Sequence, residues 1–319
     1  MLELLDRPQN PIPPAGACAP LVTRDGVRLR VASWPRLAGA EPRGTVLLLQ
    51  GRAEFIEKYF ETIDALLARG FAVVTFDWRG QGRSDRALPN RQLGHVARFD
   101  DFLLDYEAVH ATIADERVVV LAHSMGAAVA LEAAHDGRLQ AERLACTNPM
   151  VGLSLVRAPA FSRRLARVLA RAGLGRRIVP NGELHSISMR PFPGNRLSTD
   201  EARYARNAEL SRLLEWAAIG SPTIGWLDTA YAAMERLMSP GYAAAIDIPT
   251  LLVLSGSDPV CSTPAMTAFG HALGRGHVLT IPEARHEILM ETDAILATFW
   301  AAFDGFVAEA ADLPVNEVA

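Results

Sequence analysis

The chain has 319 residues, 50% of them hydrophobic and 21% charged, so it carries enough apolar material for one large core with or without an insertion. Its formal net charge of −4 provides no global field to draw a nucleic acid, and none is expected as a partner. The three cysteines, Cys18, Cys146 and Cys261, show no C-x-x-C spacing, which argues against a disulfide framework or a zinc site; no metal and no cofactor is expected.

Residues 1–6 are acidic early and lack the basic and long apolar regions of a secretory leader, and no long apolar run follows elsewhere. The expectation is a cytoplasmic chain. Pro-rich residues 10–14 read as an extended arm. Asp25-Gly26 between two alternating segments is a hairpin signal. Residues 44–50 form a continuous apolar strand of the kind buried on both faces, ending in Gly51-Arg52-Ala53-Glu54. A helical pattern then runs from Ile56 to Leu67, and residues 71–76 make the next strand. The loop after it, from Asp77 to Ser84, has two glycines, but Asp85 stands where a dinucleotide-binding loop would need a third. It reads as a structural loop. A helix over residues 102–114 precedes the Val-rich strand 118–123.

That strand becomes an Ala-rich helix within three residues, with Ser124 on the turn between Ala122 and Gly126. The pattern is G-x-S-x-G with Ala at the first glycine, a sharp turn that lifts a hydroxyl clear of a sheet. Residues 143–147 are a further strand. From 151 to 224 no convincing strand occurs, so this span reads as a helical insertion between core segments 1–150 and 225–319. Alternation resumes with strand 249–255, a helix near 265–273, strand 277–281 and a C-terminal helix over 288–308, before a frayed tail from Asp312.

Alternating strands and helices imply a mostly parallel sheet with helices on both faces, and ligands bind beyond the C-terminal ends of such strands. Three chemically capable residues follow strand ends: Ser124, Asp258 and His286. A serine hydroxyl is a poor nucleophile until a base takes its proton. His286 can do so, and Asp258 can hold the imidazole tautomer and stabilise the imidazolium. Taken singly, Asp258 could be a turn residue before Pro259 and His286 one of eight ordinary histidines. Their order and placement favour a catalytic set. Two backbone N–H groups, of Met125 at the helix start and Arg52 after the 44–50 strand, are the expected oxyanion donors, with Gly51 allowing close approach. Cys261, Trp226 and Ile288 are expected to line the substrate pocket beside Gly51.

These pieces resemble the α/β-hydrolase superfamily, within the group of bacterial lysophospholipases and monoacylglycerol lipases, the serine-aminopeptidase-like hydrolases. The matching motifs are Gln50-Gly51-Arg52-Ala53-Glu54, Asp77-Trp78-Arg79-Gly80-Gln81-Gly82-Arg83-Ser84, Ala122-His123-Ser124-Met125-Gly126, Asn148-Pro149-Met150, Gly256-Ser257-Asp258 and Ala284-Arg285-His286-Glu287. Two positions depart from the pattern: Ala122 at the first elbow glycine, and Gln50 where the group often has His. The resemblance implies an α/β-hydrolase fold, a serine ester hydrolase, and residues 151–224 as a cap over the active site. The substrate it implies is the acyl ester of a lysophospholipid. Alternatives are a monoacylglycerol, a simpler carboxylic ester, or no catalysis at all in a binding module on this fold. An aminopeptidase would need acidic groups for a free amine; the insertion shows no clear acidic cluster, and Glu201, Glu209 and Glu215 are its remaining candidates.

The first half of that insertion is basic: Arg157, Arg163, Arg164, Arg167, Arg171, Arg176 and Arg177, with no acidic residue between Met150 and Asn181. Phe161, Leu165, Val168, Leu169 and Ala172 share one helical face, with arginines on the other. Two readings follow. The helix packs its apolar stripe on the core and solvates its arginines, or it lies at an anionic membrane surface, making the protein peripheral to the inner face of the membrane.

Overall fold

The structure, a computed structural model, describes residues 3–115, 117–156 and 158–308; Arg157 and the tail from Asp312 lie outside the described residues. Strands Ala17–Val22 (β1) and Arg28–Trp34 (β2) form the expected hairpin around Asp25-Gly26, with β1 starting earlier than the sequence pattern suggests. Thr45–Leu49 (β3) leads through a single 3₁₀ turn to helix Phe60–Ala68 (α1), then Ala72–Asp77 (β4) and helix Asp101–His110 (α2). Val118–His123 (β5) runs into helix Ser124–His135 (α3), followed by Arg143–Thr147 (β6). Helices Pro159–Leu169 (α4), Glu201–Leu213 (α5) and Ile224–Leu237 (α6) come next. Thr250–Ser255 (β7), helix Thr263–Ala272 (α7), Gly276–Ile281 (β8) and helix Asp293–Ala308 (α8) complete the chain.

One eight-stranded sheet has the order β1-β2-β4-β3-β5-β6-β7-β8. β2 is antiparallel to both β1 and β4, and every pair from β4 to β8 is parallel. β3, β5, β6 and β7 are buried along their whole length, as the Val and Leu runs of β3, β5 and β7 require when both faces are covered. Side chains alternate between faces. Val118, Val120 and Ala122 join one apolar layer with Phe102, Leu131 and Phe269 from α2, α3 and α7. Val119 and Leu121 join the other with Phe60 and Ile63 of α1 and Phe299 and Phe303 of α8.

The hinge after β4 is set by charge. Arg30 is fully buried, donating from Nε to Asp77 at 2.8 Å and from both terminal nitrogens to Glu57 at 2.8 and 2.7 Å. The Asp77–Ser84 loop is therefore structural, held further by Arg79 on Asp105 and Asp25.

Two expectations change. The C-terminal helix does not begin at Ile288. Residues Ile288–Met290 form a 3₁₀ turn and α8 starts at Asp293. The break lies at Glu291, fully buried, whose carboxylate accepts the Arg285 and Thr199 N–H groups at 2.7 and 2.8 Å, bonds that an uninterrupted helix would not present. The second change is in α4, where the apolar stripe faces outward. Phe161 is 67% and Val168 62% exposed, while Arg163 pairs with Glu235 and Arg167 with Asp228 and Glu235 on α6. Among the described residues of α4, Ala166 alone is buried. The reading in which this stripe packs on the core is thereby overturned: α6 presents carboxylates to α4, and the arginines turn toward them. Between β6 and β7 the described residues hold no strand, only Leu153 of the isolated bridge Leu153↔Cys261 and both partners of Ile178↔Thr223. α6 packs Trp226, Ala230 and Ala233 into the same layer as α3. Among the described residues no helix is long and apolar enough to cross a membrane.

Candidate active site

The sheet order explains the site. β3 and β5 are neighbours although β4 lies between them in sequence, so chains leaving these two strands diverge and open a crevice at their C-terminal ends. Ser124 leaves β5 with φ +50, a left-handed conformation that a non-glycine residue holds only under tertiary constraint. Its carbonyl accepts the Met150 N–H at 3.0 Å. Gly126 cannot be anything larger: a Cβ there would lie 2.5 Å from the Gln50 carbonyl oxygen and 2.7 Å from that of Leu49. Ala122, by contrast, sits in regular β5 pairing opposite Leu49, and its methyl group is accommodated in the core.

β7 and β8 are neighbours too, which brings together the residues after each. Asp258 Oδ2 lies 2.7 Å from His286 Nδ1, and His286 Nε2 lies 3.1 Å from Ser124 Oγ. Asp258 Oδ1 accepts the N–H groups of Val260 and Cys261 at 2.7 and 3.0 Å, so both carboxylate oxygens are held. An ionised carboxylate only accepts, so Nδ1 carries the proton and the Nε2 lone pair faces the serine hydroxyl. All three residues are buried. Burial opposes the charged imidazolium, but the Asp258 carboxylate outweighs it and raises the His286 pKa above its ordinary value. Asn148, with φ +45, ties the strand ends together: its amide donates to Ser255 Oγ and the His286 carbonyl, both at 2.7 Å, and its Oδ1 accepts the Ser255 N–H at 2.8 Å. In the sequence Asn148 stood only in the Asn148-Pro149-Met150 motif, with no role attached; its side chain's partners are far away in the chain.

The β3 loop lies across from Ser124. The Gly51 N–H donates to Glu54 Oε2 and the Ala53 N–H to Gln81 Oε1 at 3.2 Å. Arg52 lies between them, and its amide meets no acceptor among the described residues. The Met125 N–H, at the second position of α3, is one of the donors a helix start leaves over. Gln50 keeps its side chain away from this loop, donating to Thr75 Oγ1 at 3.3 Å, while its carbonyl accepts Trp78 Nε1 at 2.9 Å.

Beneath the loop lies a buried charge cluster whose members the sequence did not link, although Glu54 and Glu287 each end one of the matching motifs. Lys58 Nζ sits between Glu54 at 2.5 Å and Glu287 at 2.6 Å, and Tyr59 donates to Glu54 Oε2 at 2.6 Å. Burial opposes ionisation of Glu54, yet Lys58 overcomes this and holds its pKa at about 2. Its four-residue spacing from Lys58 is a weak local signal; Glu287 arrives from the far end of the chain. His123, whose ring centre is 4.8 Å from that of His286, is kept neutral by burial, with a pKa of about 4.

A cavity of about 330 Å³ opens over Ser124, walled by Leu153, Val179, Ile219, Leu227 and Val260. Gly51, Arg52, Trp226 and Cys261 line it, as does His286. Ile288 does not; it is fully buried in the apolar layer with α8, because the 3₁₀ turn after Glu287 directs it under the sheet end. Glu201, Glu209 and Glu215 are exposed and absent from the lining. Among the described residues the one cluster with metal-ligand chemistry is Asp258, Cys261 and His286. Its donors are engaged: Asp258 is filled by two N–H groups and Nδ1 of His286, and burial followed by the Asp258 charge keeps the Cys261 thiol protonated.

With this geometry, comparison with known proteins is informative. The family described as serine aminopeptidase, S33, matches residues 40–293. The chain belongs to that family. It is a hydrolase of the α/β-hydrolase fold, as the sequence motifs implied. It is 33% identical over 266 residues to lysophospholipase L2 of Escherichia coli K12, covering 78% of this chain and 76% of that protein. A soluble variant of monoglyceride lipase from Saccharomyces cerevisiae, solved with a substrate analog, superposes with a TM-score of 0.74 at 18% identity, over 92% of this chain and 96% of the other. Monoacylglycerol lipase of Paleococcus ferrophilus gives 0.66 at 19% identity, over 88% and 98%. These two structures share the fold.

Proposed function

We propose that this hydrolase cleaves the acyl ester of a lipid, a lysophospholipid in the first instance, through an acyl-enzyme on Ser124. The observation that carries the reading is the 3.1 Å contact from His286 Nε2 to Ser124 Oγ, in a line with Asp258 and beside an apolar cavity. Ser124 Oγ attacks the acyl carbonyl while Nε2 takes its proton. The amides of Arg52 and Met125 donate to the developing oxyanion. Collapse breaks the ester C–O bond, and the imidazolium returns the proton to the leaving alcohol. Water, deprotonated by His286, then releases the fatty acid and restores the serine.

The lysophospholipid reading is supported by the relationship to lysophospholipase L2. The residues of the 151–224 insertion supply much of the cavity wall, in keeping with a cap that selects substrate. The outward apolar face of α4, flanked by exposed Arg164 and Arg171, suits contact with an anionic lipid surface. Peptide amines fit less well: Glu54, Glu183 and Glu287, the carboxylates lining the cavity, are already paired with Lys58 or Arg190.

The test is a hydrolysis screen across lysophospholipids, monoacylglycerols and short p-nitrophenyl esters, with Ser124→Ala as control. Cleavage of micellar lysophospholipid, absent in the variant, is expected. Activity on short esters with none on either lipid would replace this reading with a soluble carboxylesterase. Failure of Ser124 to react with a fluorophosphonate would remove the serine mechanism altogether.

A further inference from the structure

Three lysine and arginine side chains line the cavity, and two are matched by carboxylates. Lys58 lies between Glu54 and Glu287, and Arg190 pairs with Glu183 at 2.8 Å. Arg52 makes no ion pair among the described residues. Its Nη2 donates to the Gly220 carbonyl at 2.7 Å, and its guanidinium lies over the Trp226 ring, 4.9 Å from the centroid. The Nε–H is buried with no acceptor. Burial with no anion to offset it lowers the guanidinium pKa to about 9, which leaves it cationic at neutral pH. A partly buried cation that faces no counter-charge is unfavourable in a folded protein. The planar donor fork of arginine suits a phosphate, and Trp226 holds its plane.

We propose that the Arg52 guanidinium is an anion subsite in this cavity and receives the phosphate of a lysophospholipid whose acyl ester lies at Ser124. The inference rests on the acyl-ester reading above. Its geometry follows from one residue with two roles: in the mechanism proposed above the Arg52 amide donates to the oxyanion, and the side chain reaches from that point along the cavity wall to Gly220 and Trp226. In a lysophospholipid the glycerol backbone sets ester and phosphate apart by a distance comparable with an extended arginine side chain. A monoacylglycerol has a hydroxyl at that end and would leave the cation unmatched.

The experiment compares kcat/KM on oleoyl lysophosphatidylglycerol and monooleoylglycerol in the same detergent micelles, for the wild type, Arg52→Gln and Arg52→Lys. Arg52→Gln is expected to lower the ratio of phospholipid to neutral-lipid kcat/KM by about tenfold to a hundredfold, the scale of a lost charged hydrogen bond, mainly through KM. Arg52→Lys should recover part of it. Equal losses on both lipids would overturn the proposal and leave Arg52 as a brace for Gly220 and Trp226. A second measurement uses only the wild type: glycerol 3-phosphate should inhibit p-nitrophenyl butyrate hydrolysis competitively where glycerol does not. Inhibition by inorganic phosphate as strong as by glycerol 3-phosphate, with an unmoved lipid ratio, would mark a free-anion site and overturn the headgroup assignment. A wild type inert on both lipids would sink the functional reading and this one with it. Hydrolysis of both with no change in the ratio sinks only the role of Arg52.

Discussion

The ground beneath Ser124 and the outer helix α4 treat charge and apolar surface in opposite ways. Around the catalytic candidates, Glu54, Lys58, Glu287, Asp258 and His286 are all buried, and each finds an oppositely charged or hydrogen-bonding partner. On α4, arginines pair sideways with α6 while Phe161 and Val168 face solvent. The first region is closed and over-determined, as a site that must hold angles to a fraction of an ångström requires. The second leaves a large apolar surface uncovered, which suits contact with something outside the chain.

The sharpest way to break this contrast is at the proposed nucleophile. Ser124→Ala should reduce kcat on the order of 10⁶-fold, as for other triad serines, measured by ester hydrolysis at saturating substrate. A variant that keeps most of its turnover would mean that the buried region is merely structural. Asp258→Asn should lower kcat by roughly 10⁴-fold by imposing the wrong tautomer on His286, with little change in the thermal midpoint.

Lys58→Met addresses the buried cluster. Two carboxylates would be left facing each other without their cation, and the loss in urea unfolding should be about 3–5 kcal/mol. A loss near zero would show that the cluster is wetter and looser than its burial implies.

The double variant Phe161→Ser, Val168→Ser tests the open region. Each side chain would bury apolar area in lipid, so the ratio of vesicle to soluble-ester activity should fall about tenfold. The stability of the fold should not fall, because neither side chain is packed. An unchanged ratio would remove the membrane role of α4.

The smallest effect is in pH dependence. His286 must be neutral to accept the serine proton, so kcat/KM rises with pH through its pKa. Because Asp258 raises that pKa, the acid limb should have its midpoint above about 6.5, the ordinary histidine value. A midpoint below that value would mean that burial, not the carboxylate, dominates.

Ser124, Asp258 and His286 were legible in the sequence because each follows a strand end, and a parallel sheet gathers its strand ends at one edge whatever the loops contain. Gly126 was legible because a tight strand-to-helix turn admits little else. The Glu54–Lys58–Glu287 cluster was not read from the sequence: the four-residue spacing of the first two is a weak local signal, and nothing local links either to Glu287. Ile288 was misplaced for a related reason. Its apolar periodicity continues into α8, whereas the buried Glu291 carboxylate breaks the helix between them.

Local patterns thus determined the fold class, the candidate catalytic residues and the amphipathic character of α4, because they depend on hydrogen bonding and side-chain periodicity along neighbouring residues. Which way α4 faces, and which of the cations lining the cavity meet a carboxylate, were decided only by the tertiary structure. Those outcomes depend on what another segment presents across the gap: Glu235 and Asp228 turned Arg163 and Arg167 of α4 toward α6, whereas among the described residues no carboxylate meets Arg52, which is held by the Gly220 carbonyl and the Trp226 ring.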